Sequence, residues 1–318
     1  MTRILLALGL LAALTGAAAE PSRRDAVFIL GEDTADAGSF YAPATAYYKE
    51  RMRSDTDLLV VGARSLQEAR EWLVRSHKSD DPPWGRIILV AHGSPWVGLA
   101  VPLYADGTRA DLPDLERALQ RGEFPALPRS MFDTRTRLLI ESCGVGRRVD
   151  LLDLYARLFG GADANRRVVE ASYNWIEFGQ TVDADGGARN WRSERLFEAQ
   201  VAPRAELDAT REERIRKQLT ARLSEAAGET SFAGELTWRT APVRIELAIT
   251  DNTACRSDRA VRRLSSHASV IDKLRAYGLD RGDLAWHVDA ATSGCTLVGQ
   301  GTLAVLGQGS LLGELLPE

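Results

Sequence analysis

Short apolar runs rich in β-branched residues recur along the first half of the chain, separated by amphipathic stretches. The runs are Ala26 to Gly31, Asp57 to Gly62, Arg86 to Ala91, Arg137 to Ser142 and Arg167 to Ser172. Helical periodicity fills the intervals at Pro43 to Arg53, Ser65 to Ser76, Leu112 to Arg121 and Val149 to Phe159. Strands that are apolar throughout must be covered on both faces, so the pattern predicts an α/β fold around a mostly parallel sheet. Val97 to Arg109, with Ala105-Asp106-Gly107 as its turn, is expected to be a hairpin inserted after the third strand.

Beyond this region the glycine-rich, polar stretch Gly179 to Asn190 reads as a surface loop. A strongly charged helix is expected from Ala205 to Ala227, where Ile215, Leu219 and Leu223 form a narrow apolar stripe too short for a coiled coil. The last part reads as strands at Leu236 to Trp238, Val243 to Ile249, Leu284 to Val288 and Thr296 to Leu306, with one helix from Ala260 to Tyr277. A chain of 318 residues is long enough for two cores. The expected organisation is a leader over 1–19, a first domain over 24–200, a helical connector over 201–229 and a small α+β domain over 230–318.

The formal net charge is −4, with both signs interspersed, so the composition offers no groove for nucleic acid. Near the start, Arg3, the apolar segment Ile4 to Leu14 and Ala17-Ala18-Ala19 before Glu20-Pro21 have the layout of a cleaved secretory leader. The apolar segment is too short for a permanent anchor, and the expectation is a periplasmic or secreted protein with no integral membrane segment once the leader is removed. An oxidising compartment pairs thiols that can meet. Of the three cysteines, Cys255 and Cys295 lie together in the last third. A bridge between them closes a loop of about 40 residues and contributes roughly 4 kcal/mol on the chain-entropy model. Cys143 is left as the candidate reactive thiol, with a buried, inert cysteine as the alternative. His77, His267 and His287 show no spacing of metal ligands, so no metal and no cofactor are assigned.

Two of the apolar runs end in residues that carry chemistry: Ile-Ile-Leu-Val-Ala-His92-Gly93 and Leu-Leu-Ile-Glu-Ser-Cys143-Gly144. Reacting groups in open α/β sheets collect beyond the carboxyl ends of the strands, and both residues fall there. Neighbouring strands lie about 4.8 Å apart, which lets an imidazole and a thiol face one scissile bond. Gly93 has no Cβ to hinder close approach, and the amides of Gly93 and Cys143 are candidate oxyanion donors.

These motifs resemble those of caspase-like (clan CD) cysteine peptidases, a group that includes metacaspases, legumain and gingipains. The resemblance is nearer still to the caspase-like domain at the front of large bacterial surface and adhesion proteins. That domain has a similar His-Gly-Ser-Pro, here His92 to Pro95, and a Gly-Gly-Asn-Trp-like loop, matched by Gly186-Gly187-Ala188-Arg189-Asn190-Trp191 with two residues intervening. It covers about Ala26 to Trp191 and implies a three-layer caspase-like sandwich. It also implies a Cys143 nucleophile and a His92 acid–base, acting on a protein or peptide substrate. Ser94 and Ser142 fall inside the matched motifs and are expected to touch substrate. In metacaspases an acidic residue two before the cysteine lines a pocket for arginine or lysine; Glu141 stands at that position, which implies cleavage after basic residues.

An α/β-hydrolase is the lesser reading, because the chain has no Gly-x-Ser-x-Gly. The alternative from another class is a non-catalytic caspase-like module for binding or adhesion. Thr250-Asp251, Leu264-Ser265, Leu274 and Gly278-Leu279 resemble peptidoglycan-binding domains of outer-membrane proteins, which implies cell-wall contact through the C-terminal domain.

Overall fold

The computed structural model describes residues 23–33, 39–160, 168–204, 207–227, 234–250, 255, 260–291 and 294–309. The expected leader over 1–19 and Asp251 lie outside these residues.

Five strands, β1 (Ala26–Ile29), β2 (Leu58–Val61), β3 (Arg86–Val90), β6 (Arg137–Glu141) and β7 (Val168–Ala171), form one parallel sheet in the order β2-β1-β3-β6-β7. Alternation divides their side chains between two apolar layers. Ala26, Phe28, Ile87, Leu89, Leu138 and Ile140 face α2 (Leu66–Arg75), α3 (Leu112–Gln120) and α4 (Val149–Gly160). Val27, Ile29, Ile88 and Val90 face α1 (Tyr41–Arg51) and, beyond it, apolar residues of the C-terminal half. The mixed α/β architecture and the parallel sheet are therefore as expected, with strand boundaries within two residues. Helix starts are fixed by local caps: Ser65 Oγ accepts from Glu68 N at 3.1 Å, and Asp111 and Asp114 form a reciprocal capping box.

The hairpin expected over Val97 to Arg109 is displaced. The paired strands are β4 (Gly93–Ser94) and β5 (Gly98–Leu99), while the expected segment contributes only a bridge between Pro102 and Arg109. The loop expected over Gly179 to Asn190 is instead part of a hairpin, β8 (Trp175–Val182) with β9 (Ala188–Arg195). Only the turn around Asp183 to Gly187 is irregular, closed by Asp183 N donating to Gly187 O at 2.8 Å.

In the C-terminal half, β13 (Gly294–Gln308) is the spine of an antiparallel sheet. It pairs with β10 (Ala199–Pro203) and β11 (Leu236–Ile249), and β12 (Ala285–Ala291) also joins it. β11 runs unbroken through Pro242, where two strands were expected, because it lies at the edge of the β10-β13-β11 path, where a residue without N–H is tolerated. The single helix expected from Ala260 to Tyr277 is two, α6 (Ala260–Leu264) and α7 (Ala268–Tyr277). The Ser265 and Ser266 hydroxyls donate back to Arg262 O, and His267 caps the second helix. Ile215, Leu219 and Leu223 of α5 (Ala209–Ala227) pack on Ala202, Leu236 and Leu306, as the stripe requires. Cys255 and Cys295 form the expected disulfide, with Cα atoms 6.0 Å apart. Among the described residues no helix is long and apolar enough to cross a membrane.

Polar contacts join the halves. The Arg148 guanidinium, whose side chain is only 4% exposed, makes a two-bond pair with Asp150 at 2.7 and 2.9 Å and donates to Pro95 O at 3.0 Å. It also lies 3.9 Å over the Tyr277 ring. Arg117 pairs with Glu246 on β11, and Lys273 on α7 pairs with Glu116 on α3.

Candidate functional site

Because β3 and β6 are neighbours in register Val90↔Glu141, the two sequence motifs end side by side. His92 and Cys143 each lie two residues past that paired position. The register is continued by Ala91 N, which donates to Glu141 O at 3.2 Å. Val90 and Cys143 share one apolar layer, and Ala91 belongs to the other. Alternation therefore directs His92 to the α1 side with Cys143, where its ring contacts Phe40 at 4.5 Å and Tyr41 at 5.0 Å. Both groups leave the same sheet edge on the same face.

Glycine is required at two points. A Cβ on Gly93 would lie 2.3 Å from Ser142 Oγ and 2.7 Å from Gly98 O, so only glycine lets the His92 strand end pass this close to the Cys143 strand end. Gly144 turns the chain with φ of 66° and donates its N–H to Asn174 O at 2.9 Å.

His92 is held by partners that the sequence does not signal. Its backbone N–H donates to the Tyr41 hydroxyl at 3.1 Å, and its ring Nε2 is buried with no hydrogen-bond partner. Burial lowers the imidazole pKa below its ordinary value, with Asp33 opposing and Arg109 reinforcing the shift, so the ring is neutral at neutral pH. Asp33 accepts from the N–H groups of Phe40 and Tyr41 at 2.7 Å and of Ala42 at 2.8 Å, capping α1. Burial acts to raise its pKa, but these bonds outweigh it and hold the carboxyl ionised. Burial likewise raises the Tyr41 phenol, whose charge environment includes Asp33, Arg109 and Cys143.

Cys143 is 2% exposed and belongs to no disulfide. Its Sγ accepts from Ile176 N at 3.4 Å and lies 3.8 Å from Ile176 O, so the backbone of β8 closes directly on the sulfur. A cavity of about 440 Å³ opens beyond the ends of β1, β2 and β3, lined by His92, Tyr41, Gly31, Gly62 and Pro102. A second of about 300 Å³ is lined by Glu141, Ser172, Asn174, Arg192 and Glu194. Cys143 lines neither of these two.

Glu141, 7% exposed, stands two residues before Cys143 and is itself occupied. It accepts from the Tyr48 hydroxyl at 3.2 Å and from Arg192 of β9, whose Nε and Nη2 lie 2.8 and 2.7 Å from Oε2. Arg192 also reaches Glu194 at 2.8 Å, and Ser172 Oγ donates to Glu194 at the same distance. Ser94 and Ser142 are fully buried with unpartnered hydroxyl oxygens, and Ser142 packs against Gly93 on the face away from Cys143. The loop motif ends on β9, where Asn190 donates to Glu50 at 2.9 Å and Arg51 donates to Asn190 O at 3.1 Å. The structure thus brings His92, Gly93, Glu141, Ser142 and Cys143 together and adds Tyr41, Asp33, Ile176 and Arg192.

Comparison with protein-family models, with curated proteins and with solved structures gives no match for this chain.

Proposed function

We propose that the chain is an exported, caspase-like cysteine endopeptidase. One observation carries the reading: the strand order β2-β1-β3-β6-β7 makes the His92 and Cys143 strand ends adjacent on one face. In the mechanism the Cys143 thiolate attacks the peptide carbonyl, and the amides of Gly93 and Cys143 receive the oxyanion. His92 takes the thiol proton and passes it to the leaving amine. It then draws a proton from the water that cleaves the thioester, restoring the thiol. A neutral imidazole, as burial makes it, is the form that accepts the first proton. No cofactor enters these steps. The disulfide and the leader-like start support an oxidising, extracytoplasmic setting.

The side chain before the cut is proposed to be arginine or lysine, with Glu141 as its partner in the cleft. Peptides that differ only there, arginine against leucine, are expected to differ in kcat/KM by about 100-fold or more, because a buried charge pair is lost with leucine. Equal rates remove Glu141 from the substrate pocket.

A second reading has its own observation. The 2% exposure of Cys143, under the β8 backbone, suits a non-catalytic caspase-like binding or adhesion module, with its C-terminal half on the cell wall. Sedimentation with purified cell wall, in a preparation that hydrolyses no peptide, favours that reading over the first.

A further inference from the structure

We infer that the β8–β9 hairpin is an internal occupant of the substrate site, so that the chain as folded is a latent form. The inference rests on the peptidase reading and assigns that site its regulation. Two groups two positions apart on one strand end, Glu141 and Cys143, are covered by two residues of one hairpin. Arg192 of β9 makes a double contact with the Glu141 carboxylate, as the arginine of a bound peptide would. Ile176 of β8 brings backbone N–H and C=O to the Cys143 sulfur, where a scissile peptide group would have to lie. The cross-strand register Phe178↔Arg192 and Ile176↔Glu194 fixes the spacing between the two contacts, so the hairpin engages both groups as one unit.

The hairpin is anchored at its base and open at its tip: Trp175, Ile176 and Phe178 are buried in the apolar layer that holds Val27, Ile88 and Cys143, so only a local shift of its strands leaves the core in place. Among the described residues β8 and β9 pair only with each other, so such a shift breaks no ladder of the parallel sheet or of the C-terminal sheet. The distal end is solvent-exposed from Thr181 to Arg189, and Arg195 and Glu177 pair at 2.6 Å within the hairpin. Beyond the buried side chains, polar and ring contacts tie the hairpin to the rest of the chain: Arg51 donates to Asn190 O, and Ser172 Oγ donates to Glu194. Phe178 sits among the rings of Phe40, Tyr47 and Tyr48, Asn190 bonds to Glu50, and Arg192 bonds to Glu141. Of these, the Glu141 pair is the one that an arginine on a substrate can replace in kind, so a basic substrate competes for the hold that keeps the site shut.

The test is the rate at which iodoacetamide alkylates Cys143 in the full chain, read by mass spectrometry, beside hydrolysis of an arginyl peptide. Arg192→Ala is expected to raise alkylation at least tenfold and to raise hydrolysis with it. Arg195→Ala is expected to stay within twofold of the native rate. Faster alkylation with hydrolysis still absent upholds the cover and removes the peptidase reading instead. An unchanged rate in an Arg192→Ala chain that melts cooperatively overturns the inference, as does an equal rise in Arg195→Ala. If Arg192→Ala does not melt cooperatively, Glu141→Gln, which keeps the shape and removes the charge, is read by alkylation alone against the same tenfold threshold.

Discussion

Alanine in place of Cys143 is expected to take hydrolysis of an arginyl peptide to background, a loss on the order of 10⁴-fold or more, because the acyl intermediate of the proposed mechanism forms on its sulfur. The measurement belongs in the Arg192→Ala background as well as the native chain, since the hairpin is expected to hold native turnover low. The fold is expected to survive. The sulfur is one of many atoms in a layer that includes Trp96, Trp175, Phe178 and Phe197, and a cooperative melt within about 2 kcal/mol of native is the expected control. His92→Ala is expected to cost about 10²- to 10⁴-fold, the usual range for a positioned acid–base. Turnover retained by Cys143→Ala leaves only the binding reading.

Removing Arg148 is expected to have the largest effect on stability. Its guanidinium is buried and satisfied by Asp150, by Pro95 O and by the face of Tyr277. Alanine there removes the cation and leaves a carboxylate and a carbonyl to find other partners. Breaking a buried pair costs roughly 3–5 kcal/mol, and the lower end applies because Asp150 is 31% exposed and gains water. The expected melting shift is about 5 °C downward, at roughly 1.5 °C per kcal/mol for a chain of this size. Arg195→Ala, which breaks an exposed pair, is expected to change stability by about 0.5 kcal/mol or less. A similarly small loss for Arg148→Ala would mean that the contact does not tie the halves together. Because Pro95 follows the His92-Gly93-Ser94 segment and Arg148 follows the Cys143 turn, the same contact steadies the two strand ends that carry the site.

The elements legible in the sequence are those whose signal is local. β1, β3 and β6 are continuous apolar runs, and only a strand buried on both faces needs such composition. The charged helix with its stripe of Ile215, Leu219 and Leu223 was readable for the same reason: period and burial agree. The β8–β9 hairpin was not. Gly179, Gln180, Thr181, Arg189 and Asn190 have the composition of a loop, and what orders them is tertiary: the Trp191 ring against Gly179, Phe178 among three rings of α1 and its N-cap, and Arg192 on Glu141. The strands expected at Leu236 to Trp238 and Val243 to Ile249 are one, β11, and Pro242 stands inside it because an edge position makes no use of the missing N–H.

The site divides along the same line. The adjacency of His92 and Cys143 follows from two apolar runs and a parallel sheet, so it could be read before any coordinates. Long-range packing supplies the rest. Tyr41 holds the His92 backbone and packs on its ring, Asp33 caps the helix that carries Tyr41, and Ile176 covers the thiol from a hairpin 33 residues further along the chain. Glu141 was read as the partner of a substrate's basic group; its occupation by Arg192 depends on where β9 lies, which no local pattern encodes.

The most direct measurement of the central claim is the site of covalent capture. A peptide ending in arginine and bearing a thiol-directed acyloxymethyl ketone is incubated with the intact chain, and the adduct is mapped by mass spectrometry. The account predicts one adduct, on Cys143, formed faster after Arg192→Ala and at least about 100-fold more slowly after His92→Ala. An unmodified Cys143 in the Arg192→Ala chain, or capture at the same rate with and without the His92 imidazole, would contradict it.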